Sequence, residues 1–226
     1  MKSFRELLQP YIEEDFREFT KRTIPCGREI LGVRIPTIRK LAKAIPKEEI
    51  PKYLEAKVDS LEEVLMRGFL IARLSYGEML EHFDSQIELV DNWAAVDTFC
   101  VSLRKSIKGH EADFLEKKVA PLLSSNKEYA ARTGIVCLLD FYVQADYLQK
   151  DFEFISKLGD RQEYYVKMAL AWLIAECYTK FPNETMNFMK GAKIDKWTLN
   201  KSISKICDSY RVSDEMKESA RKLREA

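Results

Sequence analysis

The sequence has few of the residues that punctuate β structure, with 8 glycines and 7 prolines among 226 residues. Strands joined by tight turns need more of both, because glycine supplies positive φ and proline pre-sets a turn. The scarcity points to helices. Histidine is nearly missing: His82 and His110 stand alone, each without a partner at metal-ligand spacing. The five cysteines (Cys26, Cys100, Cys137, Cys177, Cys207) are odd in number, scattered and without a CxxC pair. That pattern excludes a disulfide framework and fits a reducing cytosol; three of them lie in apolar helical runs, where a thiol behaves as a small hydrophobe. No apolar run approaches the roughly 20 residues of a membrane span. The opening Met1-Lys2-Ser3-Phe4-Arg5-Glu6 is amphipathic and charged, unlike a signal peptide, so a cytoplasmic location is expected. An excess of one charge is also lacking, since Lys+Arg 37 against Asp+Glu 36 leaves +1. A wholesale nucleic-acid coat is thereby excluded, and any DNA contact must rest on cations at specific places. There is no GxGxxG or Walker motif, so no nucleotide cofactor is expected, and no metal.

What is present is a globular composition, 46% hydrophobic and 32% charged, long enough for one domain over 1–226 with a continuous core. Helical periodicity dominates it. In SLEEVLMRGFLIARLS, residues 60–75, Ser60 is followed three residues later by Glu63, a capping-box pattern. Val64, Leu65, Phe69, Leu70, Ile71 and Leu74 then form a broad apolar face. Asn126 precedes KEYAARTGIVCLLDFY in the same manner, and QEYYVKMALAWLIAECYTK at 162–180 stops at Phe181-Pro182. Pro36 sits where a first helical turn begins, after the flexible approach of Gly32. Further helices are expected at 3–22, 78–91, 92–104, 111–123, 145–158, 183–191, 196–208 and 213–224, with no strand and no linker.

A weak internal repeat runs through these helices. Glu63 to Arg67, Glu128 to Arg132 and Glu163 to Lys167 each place a cation four residues after a glutamate, ahead of an apolar run. Asp97 falls between the first two cations, so Arg67, Asp97, Arg132 and Lys167 are spaced by 30, 35 and 35 residues. That is one helix pair per repeat, the period of HEAT and TPR arrays, in which equivalent positions line up on one face. The plainer reading is a set of exposed i, i+4 salt bridges worth a few tenths of a kcal/mol each.

Within NWAAVDTFC, Asn92 is placed to cap a helix whose Trp93 and Asp97, four apart, share a face. Trp172 lies in a later repeat. Such a Trp/Asp pair can equally be structural, with the indole in the core and the carboxylate in water. A slip of one position in the helix register would turn both inwards. Nucleophilic triads lack an activated histidine. Paired acids such as Glu62-Glu63 read as solvated faces.

At these residues the chain resembles the DNA alkylation repair glycosylases of the AlkD family. The likeness runs from LGVRIPTIRKLAK at 31–43 to KICDSYRVS at 205–213. NWAAVDTF matches the family's Trp-x-x-x-Asp helix, YAARTGIVCLLDFY the helix of its active-site arginine, and YYVKMALAWLIAECYTKFP the segment of its second tryptophan. The resemblance implies an all-α, right-handed α-α superhelix, a HEAT-like repeat solenoid whose concave face holds duplex DNA. It implies release of cationic N3- or N7-alkylated purines without base flipping, by a monomer needing no metal and no cofactor. Asp97 would stabilise the deoxyribose cation, Trp93 and Trp172 would flank the lesion nucleotide, and Arg132 would hold a phosphate or Asp97 itself. Arg67 and Lys167 would touch the DNA backbone. The chain departs from the best-known members three residues after the second tryptophan, where their arginine is replaced by Ala175. Two other readings stay open: a relative with little or no catalysis that binds distorted or branched DNA, and a helical-repeat scaffold for proteins.

Overall fold

The computed structural model describes residues 2–224, and among them the backbone is helical, with one isolated bridge between Glu29 and Ser60 in place of strands. The chain packs as two compact units, Met1–Phe114 and Leu115–Ala226. The first contains α1 (Phe4–Leu8), α2 (Glu14–Thr23), α3 (Ile35–Ala44), α4 (Ile50–Leu54), α5 (Leu61–Ile71), α6 (Tyr76–Ile87), α7 (Trp93–Ser102) and α8 (Glu111–Phe114). The second contains α9 (Ala120–Leu123), α10 (Glu128–Cys137), α11 (Leu148–Leu158), α12 (Tyr164–Lys180), α13 (Pro182–Gly191), α14 (Lys196–Asp208) and α15 (Asp214–Arg221).

In each unit alternate helices stack into a row. In the first unit α3 packs on α5 and α5 on α7, with α4 and α6 also against α5. In the second, α10 packs on α12 and α12 on α14, with α11 and α13 against α12 and α15 against α14. This is the helix-pair stacking that a period of 30 to 35 residues requires. The sequence expectations fail where local chemistry interrupts a run. Residues 3–22 are not one helix, because Pro10 falls in a 3-10 turn, Gln9–Tyr11, that separates α1 from α2. The expected 111–123 helix contains a π-helical turn at Leu115–Val119, and α10 runs into a second one at Leu138–Tyr142. Asn126 is not the cap of α10; the N-cap position is Lys127, with no side-chain bond.

Helix starts follow the expected chemistry elsewhere. At α5 the Glu63 N–H donates to Ser60 Oγ at 3.3 Å and the Ser60 N–H donates back to Glu63 Oε2 at 2.9 Å. Every residue of α5 is buried, charged ones included. A buried charge must be hydrogen-bonded or it costs several kcal/mol. Glu62 meets this demand by accepting from the N–H groups of Leu31, Gly32 and Val33 at 2.9, 2.7 and 3.2 Å. It thereby pins the segment that leads into α3. Gly32 adopts φ +89 there, and a Cβ at this position would lie 2.6 Å from both Arg17 Cβ and Glu13 O. Only glycine satisfies both the backbone sign and the space.

Candidate functional site

The first unit presents one short helix whose chemistry faces outward. On α7 the residues Ala94, Ala95, Val96, Thr98, Phe99 and Cys100 are buried against the core. Trp93 and Asp97 are half-exposed, and Val101 is exposed at 44%. Positions 93, 97 and 101 lie along one face, as the four-residue spacing dictates. The face continues past the helix end to exposed Arg104 and Lys105.

Position and register of this face are set at the helix start. Asn92, 1% exposed, accepts from the Ala95 N–H through Oδ1 at 2.9 Å. Its Nδ2 donates to Asp91 Oδ1 at 2.8 Å, and Asp91 Oδ2 accepts from the Gly27 N–H at 3.1 Å. The Cys26 thiol donates to the same carboxylate at 3.6 Å, and burial with that neighbouring charge pushes its pKa up to about 11. The cap is therefore tied to a second segment 65 residues away, so α7 cannot slide or rotate cheaply. The alternative of an inward-turned Trp93/Asp97 pair does not occur.

The cations singled out in sequence have other employment. Arg67, 5% exposed, donates to Gln86 Oε1 at 2.7 Å and Ser85 Oγ at 2.9 Å, joining α5 to α6. Burial lowers its pKa. Its guanidinium sits inside the helix stack, which corrects the picture of a surface stripe that begins at this residue.

In the second unit, Arg132 on α10 is also 5% exposed and donates through Nη1 to the Tyr165 carbonyl at 2.9 Å. Glu128, one turn earlier, accepts from the Tyr165 N–H at 2.7 Å. The pair thus clamps both backbone groups of one residue at the start of α12. Lys167 pairs with Asp195 at 2.9 Å and lies over the Trp197 ring at 5.0 Å from its centroid. The three Glu-x-x-x-cation motifs each reach beyond their own helix, which revises the plainer reading of simple i, i+4 pairs.

Trp172 is exposed at 37%, with Lys205 Nζ 6.0 Å from its ring centroid. One turn on, Glu176 is paired with Arg211 at 2.9 Å through Nη1, and this guanidinium holds its carboxyl below the usual range. Ala175, by contrast, is 7% exposed and faces the core, so position 175 does not share the surface of Trp172. Tyr164 and Trp197 are also exposed and lie 5.8 Å apart between ring centroids. Sequence reasoning missed this aromatic surface, because nothing in the spacing from 164 to 197 marks the two rings as neighbours. Among the described residues no group of three or more His, Cys, Asp or Glu could hold a metal ion, and no helix is long and apolar enough to cross a membrane.

A search among curated proteins finds no significant match. Among solved structures, the chain is similar to one described as a predicted DNA alkylation repair enzyme from Enterococcus faecalis. The TM-score is 0.68 at 15% identity, covering 92% of this chain and 99% of that one. That likeness shows a shared helical-repeat fold. The model of the family described as DNA alkylation repair enzyme matches residues 1–206, nearly the whole length. On that match, the chain belongs to the DNA alkylation repair enzyme family.

Proposed function

We propose that this protein is a DNA glycosylase that releases cationic N3- or N7-alkylated purines from duplex DNA without flipping the base. The observation that carries this reading is α7: a helix buried over most of its surface that offers water an indole, a carboxylate and Val101 along one face, with Ser102 half-exposed at its end. A carboxylate held against solvent-facing apolar surface suits a reaction that develops positive charge. An alkylated purine already carries that charge on the ring. When its C1′–N bond breaks, the bonding pair goes to the base, which leaves neutral and needs no general acid. The sugar becomes an oxocarbenium ion. Asp97 stabilises it, water attacks C1′, and the proton of that water passes to Asp97 or to solvent, leaving an abasic site. Trp93 shields this charge and adds a π face that tolerates a cation.

In the second unit, Trp172 and Arg132 are assigned to the lesion-bearing DNA as a π face and a cation. The bond from Arg132 Nη1 to the Tyr165 carbonyl fixes the position of its guanidinium for that task. Arg67 and Lys167 keep a lesser part, bracing their helices and adding positive potential beneath the DNA-facing surface. The protein acts as a monomer, in the cytoplasm. The test is release of 7-methylguanine from methylated duplex DNA, with Asp97→Asn as the companion. Activity in the parent and its loss in a folded variant support the reading; equal release by both would refute it.

A further inference from the structure

The second unit carries an exposed aromatic pair that the proposed reaction leaves unused. Tyr164 begins α12 and Trp197 lies in the first turn of α14, with their ring centroids 5.8 Å apart. A single exposed ring is ordinary on a protein surface. Here two exposed rings meet, and one of them is braced. The N–H groups of Trp197 and Thr198 donate to Asp195 Oδ1 at 3.0 and 3.3 Å, which fixes the start of α14. The same carboxylate pairs with Lys167 Nζ at 2.9 Å, and that ammonium lies 5.0 Å from the indole centroid. Side chains of α12 thus hold the Trp197 ring in place while it stays 40% exposed.

Beside the ring is a cavity of about 410 Å³ lined by Trp197, Asn200, Lys201, Ser204 and Arg224. That volume falls in the range of about 300–1,000 Å³ that small-ligand sites span. Positions 197, 200, 201 and 204 follow the spacing of one helix face, so α14 supplies a continuous floor. Arg224 reaches in from the turn Lys222–Arg224. Its Nη2 donates to Ser204 Oγ at 2.8 Å and to the Asn200 carbonyl at 3.4 Å, which lays the guanidinium along the helix. The lining holds two cations and no carboxylate, in a chain of net charge only +1. An indole plane beside two cations, an amide and a hydroxyl complements a nucleotide, with the base on the ring and the phosphate on Lys201 and Arg224.

We propose that Trp197, with Lys201 and Arg224, forms a stacking site for an unpaired nucleotide of single-stranded DNA. The choice of DNA rests on the reading above, while the site shares no residue with those assigned to base release. Within a duplex each base is covered on both faces by its neighbours. An indole therefore reaches a base face only where the strand is unpaired. Every base has such a face, so the site is indifferent to sequence. Tyr164, next to the indole, extends the aromatic surface along which a strand can run.

The test measures binding of three fluorescent ligands at low salt: oligothymidylate of about 12 nucleotides, an abasic oligomer of equal length, and a lesion-free duplex. The abasic oligomer keeps the phosphates and removes every π face. The parent is expected to bind oligothymidylate more tightly than the abasic oligomer, a comparison that needs no variant. Circular dichroism first confirms that each variant is folded. Trp197→Ala is expected to weaken oligothymidylate binding by about five- to a hundredfold, the loss of one stacked base, and to leave the other two ligands within about twofold. Trp197→Phe keeps a ring and should recover most of that affinity. Lys201→Ala/Arg224→Ala should weaken both single strands alike and lower the log–log salt slope by about 0.7 for each phosphate no longer neutralised. Tyr210→Ala, which removes a fully exposed ring outside the cavity, is the control and should bind like the parent. Four results overturn the proposal: equal parental affinity for oligothymidylate and the abasic oligomer, parental binding by Trp197→Ala, equal weakening of duplex binding by Trp197→Ala, or competition by thymidine 5′-monophosphate or polyglutamate as effective as by oligothymidylate. Base release from methylated duplex separates the two readings, and Trp197→Ala keeps the parent's rate there if both hold. A parent that stacks oligothymidylate through Trp197 yet releases no base sinks the glycosylase reading alone. A parent that releases base but does not distinguish oligothymidylate from the abasic oligomer sinks the stacking site alone.

Discussion

At the scale of single residues, two carboxylates illustrate opposite uses of environment. Asp97 lies half-exposed beside Trp93, where its charge can meet a developing cation as water is excluded by bound DNA. Removing one such electrostatic partner costs on the order of a hundredfold or more in rate. Asp97→Asn keeps the shape, so single-turnover base release should fall by about that factor while DNA affinity and Tm stay near the parent's. Asp151 is the contrary case. It is 1% exposed, its Oδ2 has no hydrogen-bond partner, and burial raises its pKa to about 8 against the opposing pull of Lys180. Cys177 and Glu176 face the same neighbourhood. An unfolded aspartate titrates near 3.9. Below about pH 4 both states hold the proton and the stability is complete. Above it the unfolded chain ionises while the folded one does not, so stability falls by about 1.4 kcal/mol per pH unit until the folded pKa is passed. Thermal melts should therefore show Asp151→Asn gaining on the parent from pH 5 to pH 8; parallel curves would disprove the assignment.

At the scale of elements, the register of each functional helix is fixed by side chains that bond backbone elsewhere. Glu62 is the clearest, since its loss leaves three buried N–H groups without an acceptor. An unsatisfied buried donor costs about 1–3 kcal/mol. Glu62→Ala is expected to destabilise the protein by roughly 3 kcal/mol or more, a fall in Tm on the order of 6–12 °C for a chain of this size. Gly32→Ala should do comparable harm for a different reason, because the added Cβ meets Arg17 and Glu13 and the backbone sign is wrong. Asn92→Ala removes a cap worth about 1 kcal/mol. Because this cap also sets the angle of Trp93 and Asp97, it should lower base release more than so small a stability loss would. The capping box at Ser60 and the cap at Asn92 were legible in sequence, since caps are local chemistry. The break at Pro10 and the two π-helical turns were not, because apolar periodicity carries straight through them.

At the scale of the whole molecule, the cysteines offer a check on the packing of both units. Cys100, Cys137 and Cys177 are buried, whereas Cys26 and Cys207 are half-exposed. A thiol reagent at neutral pH should label none of the three buried residues until denaturant is added, and should then label all five. Early reaction at Cys137 or Cys177 would contradict the helix stacking of the second unit. The sequence by itself determined the class of fold, because composition and the 30- to 35-residue period demand helix pairs that bury one face on the next. It also determined that Trp93 and Asp97 share a side of α7, since four residues make about one turn. Tertiary structure alone decided which charges are available. Arg67 and Arg132 carry the same formal charge as Lys43 and Lys105, yet the first two are consumed by neighbouring helices and the others stand at a groove rim. The physical reason is that helical periodicity acts over a few residues, whereas burial and charge partnership join side chains dozens of residues apart only once the helices are stacked.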